Sequence, residues 1–444
     1  MQLPDRVSKL TSTPRELAAW SLAHGLQRRF LRRAAAKGDL MAGLATDPAY
    51  YDDPYPSYER LRERGRVVRN GFVAGTVDHA VANAVLRSDQ FSSSALGELP
   101  GPLQRLHARV RDEDTLSPVD PPSMLVVDPP VHTRYRRLVA RAFTARKVGR
   151  MADRVESVAA RLLDDLDGEP TFDLVGRYAS QLPVAVIADL LGVPDDERAQ
   201  VLGWGNHAAV TLDPGLTWAQ YRSSSAALRE MHAWFDGHLD RLRRDPGNDL
   251  LSQVLADPEA ADLTRMELHG IGLLVLGAGF ETTVNLIGNA VALLDAHPDQ
   301  LAWLEDNPDG WANAVEEVLR VDSPVQLTVR FATQDTEVAD EAVRAGEGVL
   351  VYLGGANRDP GVFSDPGTFD VRRDNAGEHV AFSAGIHFCL GASLARLEAA
   401  VALRALYERH PDLRVVGRPE RRTTRVLRGF EYLPVSTLAR VPAA

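Results

Sequence analysis

The sequence has very little cysteine, no long hydrophobic run and no excess of positive charge. Cys389 is the only cysteine among 444 residues, which excludes an internal disulfide and a zinc site built from several thiolates. No apolar run reaches ~18 residues, so we expect no membrane span. The formal net charge of −11 argues against nucleic acid as the main partner. Charges recur from Asp5 onward, which is unlike a signal peptide.

The remaining composition is that of an ordinary globular protein. A chain of 444 residues can bury a large core, and 45% hydrophobic with 25% charged residues is a usual balance. A single cysteine fits a reducing cytosol, so we expect a cytoplasmic protein. Helical patterns dominate, and a β-rich, turn-rich section runs from about residue 325 to 388. These patterns predict a mainly α protein with a small β-rich region.

The N-terminal part combines apolar and basic side chains. Over residues 14–37 we expect an amphipathic helix within an N-terminal extension, residues 1–45. Such a helix either packs on the protein's own surface, the commoner case, or lies at a membrane interface. The side chains that carry the pattern are Leu17, Trp20, Leu22, Leu26, Phe30, Leu31, Arg28, Arg29, Arg32, Arg33 and Lys37.

Cys389 lies in a glycine-flanked turn, residues 382–391, that reads FSAGIHFCLG. Gly385 and Gly391 can take positive φ and allow the backbone to lie close to a flat ring. Good helix formers follow, so Cys389 is predicted at a helix N-terminus, where a thiol pKa is lowered. A lone cysteine there can be buried filler, a reactive thiol or a single axial metal ligand. The surrounding residues favour the ligand.

The most distinctive predicted helix begins with a capping box at Thr264 and ends at His297. It is apolar around most of its circumference, which implies central burial. In its middle, residues 277–283 read GAGFETT, and the glycines let a flat ligand or small gas approach the backbone. Glu281 and Thr282 can organise water and protons there. The alternative is a kink in which threonine hydroxyls bond back to helix carbonyls.

Two pairs of charged side chains fall on single helix faces. Glu317 and Arg320 are three residues apart, and such pairs are usually solvated bridges of little worth. His132 and Arg136 are four apart and either bind one carboxylate pair or are simply exposed. Arg330 lies in a β-like stretch. From these residues alone, no role is decided.

Together these segments resemble the cytochrome P450 superfamily, in particular its soluble bacterial, actinobacterial-type members. The Phe-Gly-Cys-Gly spacing of the cysteine turn is the specific motif, and the resemblance runs from Asp52 to Val435. It implies the P450 fold, a triangular helical domain over residues 46–444 with a long central helix over a haem. It also implies haem b as cofactor and monooxygenation, in which one atom of O₂ enters the substrate and the other leaves as water.

The resemblance assigns roles residue by residue. Cys389 would be the proximal ligand of the haem iron. Glu317 and Arg320, joined by Arg373, match a buried structural group, which reverses the interpretation as a surface pair. The positions matching haem-binding residues are His132, Arg136, Ala278, Gly279, Arg330, Phe382, His387 and Gly391.

Glu281 and Thr282 match the oxygen-activation segment, with Glu281 where many relatives carry Asp. We predict that this pair delivers protons during oxygen activation. Two alternatives are an H₂O₂-driven peroxygenase and a non-catalytic haem-binding or sensor protein. The pair argues against both, since neither needs a proton relay.

The expected partners are ferredoxin and ferredoxin reductase, which would pass electrons from NAD(P)H, because no flavin or reductase module follows residue 444. Residues 131–150 carry a basic excess with no acid, predicted to attract an acidic ferredoxin near the cysteine side. The basic residues are Arg134, Arg136, Arg137, Arg141, Arg146, Lys147 and Arg150.

The substrate is predicted to be a mainly apolar small molecule. By resemblance, its cavity is bounded by a long loop over residues 92–127, by Leu274 and Ala278, by residues 325–328 and by the turn at residues 429–430. Loops of that length are usually functional. Polar groups of the substrate would be oriented by Gln326, Thr328 and Glu431.

Overall fold

The computed structural model describes residues 14–71, 73–94 and 115–438. It confirms a mainly α protein with a small β-rich region. Residues 95–114 lie outside the described part, so the predicted loop over 92–127 is seen only at its two ends. The α-helices are Pro14–Trp20, Leu26–Ala36, Leu40–Leu44, Ala49–Asp52, Tyr55–Arg62, His79–Arg87, Val131–Ala140, Ala145–Gly149, Ala152–Asp164, Gln181–Leu191, Arg198–Val210, Trp218–Arg244, Leu250–Ala256, Arg265–Ala296, Pro298–Asp306, Trp311–Val321, Leu353–Ala356 and Ala392–Arg409.

In the described part of the chain, short strands form four small sheets. They are β1 Val68–Arg69, β2 Val73–Thr76, β3 Phe91–Ser92, β4 Thr171–Asp173, β5 Thr328–Ala332, β6 Thr336–Val338, β7 Glu341–Val343, β8 Gly348–Val351, β9 Arg414–Val415, β10 Glu420–Arg421, β11 Phe430–Tyr432 and β12 Pro434–Ser436. The largest sheet has the order β1-β2-β8-β5-β3, and only β2 and β8 are parallel. The others are β4-β12-β9, β10-β11 and β6-β7. The predicted β-rich section thus has its strands in its first half.

The central helix, Arg265–Ala296, organises the main core. Its predicted capping box is present: the Glu267 N–H donates to Thr264 Oγ1 at 3.3 Å, and Thr264 N–H donates to the Glu267 carboxylate at 2.8 Å. Glycines let neighbouring helices approach closely. A Cβ on Gly272 would lie 2.1 Å from the ring of Phe235, a residue of helix Trp218–Arg244.

Among the described residues, the central helix alone is long and apolar enough to cross a membrane. That result rests on length and composition only. Within its most apolar 18-residue window, 72% of the residues are buried inside the protein. Burial of this kind is what a core helix requires.

The predicted helix over residues 14–37 is present and packs on the protein. The Trp20 indole N–H donates to the Leu216 carbonyl at 2.9 Å, and the Trp20 ring meets Trp218 edge-on at 5.7 Å. These contacts favour the first of the two alternatives, packing on the protein's own surface. No side chain of Leu26–Ala36 is buried. The predicted boundary between this extension and the main domain stays a prediction.

Glu317 and Arg320 form a fully buried ion pair. Both side chains have no exposed surface, and two guanidinium nitrogens of Arg320 lie 2.7 Å from the two carboxylate oxygens. Arg373 joins through its Nε, 3.2 Å from Glu317. Arg320 also donates to the carbonyls of Asn357 and Pro366. The role implied by the resemblance therefore fits this geometry, and the surface interpretation was wrong.

A second buried group surrounds Asp322, at the end of the same helix. Its carboxylate accepts from Arg428 Nε at 2.6 Å and from the Tyr55 hydroxyl at 2.7 Å, and Arg421 lies 3.5 Å away. Burial acts to raise the pKa of Asp322, but Arg428 and Arg421 outweigh it and lower the pKa to about 2. This group ties the N-terminal residues to the C-terminal strands.

Candidate active site

Backbone contacts fix the turn that holds Cys389. The Cys389 N–H donates to the Phe382 carbonyl at 2.9 Å. Gly385 has φ +68°, and a Cβ there would lie 2.4 Å from the Leu86 carbonyl oxygen, so only glycine fits. Gly391 differs from the expectation, because its φ of −85° is open to any residue. A Cβ on Gly391 would meet no protein atom within 4 Å.

Cys389 is accessible to solvent, yet protein atoms crowd its sulfur. Burial raises the pKa of the thiol, while the Gly391 N–H, Arg136 and Arg396 act in the opposite direction. The Gly391 N–H thus acts in the direction predicted for a helix N-terminus, and burial of the sulfur outweighs it. A bound metal ion would deprotonate the thiol outright. Accessibility combined with crowding places this sulfur in a concave part of the surface.

The resemblance implies that four of the haem-binding side chains hold the haem propionates, and these four come together: His132, Arg136, Arg330 and His387. The rings of His132 and His387 are 4.3 Å apart between centroids. Burial, then the neighbouring His132 and Arg330, lower the pKa of His387 to about 3. Burial and Arg136 likewise lower the pKa of His132. Both imidazoles are thus neutral at neutral pH, and the two guanidinium groups supply the positive charge.

Arg330 is a buried cation with no acid hydrogen-bonded to it among the described residues. Its guanidinium donates to Thr328 Oγ1 at 3.2 Å and to the Val329 carbonyl at 2.9 Å. Burial lowers the pKa of Arg330 to about 10, with Asp128 acting in the opposite direction. His387 Nε2, 3.9 Å from Asp128, is also buried without a hydrogen-bond partner in the described part of the chain. Buried donors that lack acceptors mark a place for an anion.

The middle of the central helix has an open face. Ala278 is exposed within this otherwise buried helix, and a Cβ on Gly277 would meet no protein atom within 4 Å. The Thr282 hydroxyl donates to the Ala278 carbonyl at 3.2 Å, so the back-bonding predicted as the alternative does occur. Gly279 does not serve the open face, because its missing side chain makes room for Ile187, 2.7 Å from a Cβ. Its predicted contact with the cofactor stays a prediction, which only its backbone could satisfy.

Glu281 is buried next to Thr282 and has a partner that the sequence did not suggest. Its carboxylate lies 2.8 Å from Arg422 Nη1 in an ion pair whose geometry is not that of a hydrogen bond. Neither carboxylate oxygen has a hydrogen-bond partner among the described residues. Burial raises the pKa of Glu281, Arg422 opposes this, and Glu431 adds to it. The carboxyl can therefore hold a proton more readily than an exposed glutamate.

Comparison with known proteins identifies the family. The cytochrome P450 family model matches residues 312–410. Cytochrome P450 140 of Mycobacterium tuberculosis is 49% identical over 423 residues, which are 94% of this chain and 96% of that protein. The chain belongs to the cytochrome P450 family. It is therefore a haem-containing monooxygenase by family.

Two further P450s extend the comparison. The 6-deoxyerythronolide B hydroxylase of Saccharopolyspora erythraea is 38% identical over 396 residues, covering 87% of this chain and 96% of that protein. The crystal structure of the myxobacterial P450 CYP267B1 in complex with myristic acid superposes with a TM-score of 0.80 at 32% identity. That match covers 90% of this chain and 100% of CYP267B1. The P450 fold expected from the resemblance is thus confirmed.

The residues present fit a haem. Cys389 offers one thiol ligand. Arg330 and His387 offer donors that no described acceptor satisfies, as the carboxylates of haem b would require. The open faces of Gly391 and Gly277 leave room for a flat ring. The haem expected for a P450 therefore has a matching donor set in this chain.

Two of the polar residues predicted to orient a substrate, Gln326 and Thr328, form hydrogen bonds within the protein. Gln326 is fully buried, accepts from the Tyr58 hydroxyl at 3.0 Å and donates to the Ser323 carbonyl at 2.8 Å. The Glu431 side chain is 65% exposed and lies 3.6 Å from Arg422. Thr328 is bound by Arg330. For Gln326 the prediction was wrong, because side-chain direction is not visible in a sequence pattern, and for Glu431 it stays a prediction.

The basic stretch is less positive in the fold than in the sequence. Arg134, Arg137 and Arg141 pair with acids of residues 257–262, which are far away along the chain. Arg146 and Arg150 are exposed and have no acid partner among the described residues. Exposed basic side chains without an acid partner thus lie at the C-terminal end of this stretch, while the half-buried Arg136 donates to the Phe388 carbonyl at 2.8 Å.

Proposed function

We propose that this P450 takes electrons from NAD(P)H through ferredoxin reductase and ferredoxin, and oxygenates a mainly apolar small molecule in the cytoplasm. The observation that carries the proposal is that the buried Glu281 and the hydroxyl-bearing Thr282 are consecutive residues in the part of the central helix that Ala278 opens. An acid with a raised pKa next to a hydroxyl can hold and pass protons. Protons are consumed when O₂ is reduced by separately supplied electrons.

The proposed roles follow the geometry. Cys389 ligates the haem iron, and Phe382 packs beside that turn. His132, Arg136, Arg330 and His387 bind the haem carboxylates. Haem, when bound, supplies the iron at which O₂ is activated. Thr282 and Glu281 hold and move protons at the hydroxyl and carboxyl oxygens beside the face that Ala278 opens.

An apolar substrate is supported by two relatives and by the lining. One relative is named for hydroxylating 6-deoxyerythronolide B, and another was crystallised with myristic acid. Ala278 and the half-buried Leu274 offer apolar surface next to Thr282. Burial of such surface contributes roughly 25 cal/mol per Å².

The substrate proposal is tested by a spectral screen of the haem-loaded protein. Fatty acids, macrolide lactones and steroids are compared with charged, sugar-like compounds for a change of haem spin state. We expect shifts with the apolar set. A screen in which only the charged set shifts the spectrum would overturn this proposal.

The electron source is tested with the ligand that gives the largest shift. One arm supplies ferredoxin, ferredoxin reductase and NADPH, and the other supplies H₂O₂ alone. We expect oxygenated product in the first arm at a rate well above the second. The reverse result would favour the peroxygenase, which receives its oxygen already reduced and needs no acid–hydroxyl pair.

Ferredoxin is proposed to dock on the cysteine side. The cysteine turn exposes Ile386 (52%) and Phe388 (41%), an apolar centre for an interface. Helix Ala145–Gly149 and Arg150 supply exposed positive charge, and this helix packs against the helix that follows Cys389. Positive charge beside an apolar centre suits an acidic partner, and it acts mainly on the encounter rate.

The docking proposal predicts that reduction slows as salt increases and in Arg150→Glu. Arg137→Glu is the matched control, because Arg137 is already paired with Glu259 at 2.8 Å. Stopped-flow reduction by an acidic ferredoxin should fall more for Arg150→Glu than for the control. Equal rates for the two variants would contradict this surface.

A further inference from the structure

A buried chain of hydrogen bonds links two helices to the segment at residues 115–127. His232 of helix Trp218–Arg244 and His269 of the central helix have their Nδ1 atoms 2.6 Å apart. His269 Nε2 lies 2.8 Å from the Asp236 carboxylate, and His232 Nε2 lies 3.0 Å from the Leu116 N–H. The two histidines are 3% and 0% exposed, so the histidine pair is shielded from water, while the Asp236 side chain at the far end is 35% exposed.

His232 Nε2 contacts both polar groups of the Leu116 backbone. It lies 3.0 Å from the Leu116 N–H and 3.0 Å from the Leu116 carbonyl oxygen, so it binds this residue whichever ring nitrogen of His232 carries the proton. The Asp236 carboxylate can only accept, so His269 donates to it from Nε2. Arg265 holds Asp236 in place through its guanidinium, with Nε at 2.6 Å. Each of the two rings thus has a polar partner at both of its nitrogens.

The His269 ring is neutral over a wide pH range. Burial, then the adjacent His232, lower the pKa of His269 to about 4, with Asp236 acting in the opposite direction. No group of three His, Cys, Asp or Glu that could hold a metal ion occurs in the described part of the chain. The chain of bonds is therefore a fixed connection, and the proposed chemistry at Cys389 and Thr282 does not use it.

The segment held by this connection lies against the central helix. A Cβ on Gly270 would lie 3.1 Å from the Pro122 carbonyl oxygen and 3.3 Å from the Ser123 nitrogen, so the glycine admits the segment's backbone. Leu116 and Met124 are buried there. Gly270 is two turns N-terminal to the open face at Gly277. The same helix thus carries both the segment and the open face.

We propose that His232 and His269 are positioning residues that set the wall of the substrate cavity by fixing the Leu116 end of this segment. The inference rests on the proposed function, since the cavity is where the P450 would receive its substrate. His232 binds the backbone of Leu116, His269 orients His232, and Asp236 orients His269. Substrate entry and preference then depend on a connection buried away from the reacting atoms.

The first test is hydrogen exchange of the haem-loaded protein, followed by mass spectrometry of peptides covering residues 115–127. His232→Leu removes the acceptor of the Leu116 N–H. Because one buried hydrogen bond contributes roughly 1 kcal/mol, exchange at Leu116 should accelerate about fivefold. His232→Gln keeps a side-chain acceptor near the Nε2 position and should preserve most of the protection.

A matched control lies on the same helix. His238 is buried and binds the Leu191 carbonyl at 2.9 Å, away from residues 115–127. His238→Leu removes a comparable buried imidazole and should leave the exchange of this segment unchanged. Equal acceleration in His232→Leu and His238→Leu, or none in either, would overturn the proposal.

The second test measures entry of a small ligand. The association rate of 4-phenylimidazole with the haem iron is followed by stopped-flow absorbance. We expect a faster rate in His232→Leu, with the wild-type rate in His232→Gln and His238→Leu. An unchanged rate despite faster exchange would show that the connection holds the segment without guarding the cavity, and would overturn the proposal. Neither readout requires turnover, so a failure of the ferredoxin proposal would be seen separately.

Discussion

Arg320 and Arg330 are ten residues apart and both are buried, yet their surroundings differ. Arg320 is paired with both oxygens of Glu317 and donates to three backbone carbonyls. Arg330 donates to one hydroxyl and one carbonyl, and the nearest acid influence, Asp128, is not hydrogen-bonded to it among the described residues. A buried charge with all its partners serves the fold. A buried charge with partners missing serves a ligand.

The largest effect is expected where the site depends on one atom. Cys389→Ser should abolish the strongly red-shifted band of the reduced carbon monoxide complex, because a serine does not provide thiolate ligation. Cys389 lies in the candidate haem site and not in the fully paired group around Arg320, so the variant should keep its fold. Circular dichroism measures this. Haem content is measured in parallel by pyridine haemochrome. Retention of the red-shifted band would contradict the assignment of Cys389 as the ligand of the haem iron.

Removing one charge beside Arg320, and the charge of Arg330 itself, tests whether the two buried arginines serve different roles. Glu317→Gln leaves Arg320 and Arg373 without a balancing charge, which typically costs about 3–5 kcal/mol. Urea unfolding of the apoprotein should show a loss of this size. Arg330→Leu should leave the apoprotein as stable as the wild type, while its haem affinity falls about tenfold or more. Equal destabilisation of both apoproteins would contradict the distinction between a structural Arg320 and a haem-binding Arg330.

The fully paired buried groups should also make the stability of the fold depend on pH. The pKa of Asp322 is about 2 in the fold against an ordinary 3.8, so its contribution is complete above about pH 4 and is lost as the pH falls toward 2. The shift corresponds to about 2 kcal/mol. The stability difference between wild type and Asp322→Asn, measured by urea unfolding, should shrink by that amount over this pH range. A difference independent of pH would contradict the ion pair with Arg428.

The smallest effect is expected at the open helix face. Thr282→Ala should retain haem and ligand-induced spectral shifts, while product formed per NADPH falls about tenfold and peroxide accumulates, because the hydroxyl that passes protons is gone. Thr283→Ala, at a buried neighbour on the same helix, is the control and should keep its coupling. Unchanged coupling in Thr282→Ala would argue against a proton role.

Local patterns of the sequence predicted the local parts of the site. The central helix was predictable because its capping box and apolar period lie within one segment. The cysteine turn was predictable because Gly385 and the helix formers after it are adjacent to Cys389. Likewise, Glu317 and Arg320 are close enough in sequence for their pairing to be visible, although only the resemblance indicated that the pair is buried.

Partners contributed by distant segments could not be predicted. Arg422, which faces Glu281, comes from the C-terminal strands, and no spacing rule connects the two. The acids that neutralise Arg134 and Arg141 come from a separate helical turn. Gln326 was misjudged because the side chain turns toward Tyr58, which a one-dimensional pattern does not reveal. Charge and polarity in a sequence therefore overstate what the folded surface presents.

The solitary thiol gives this protein a built-in stoichiometric marker. Cys389 is the only sulfhydryl in 444 residues, and it is accessible in the fold. A coloured thiol reagent applied without denaturant can therefore react at one position only, and that position is protected when its sulfur is bound to iron. The reagent's titre counts the apoprotein molecules in a preparation, and the increase in titre on adding denaturant counts the loaded ones.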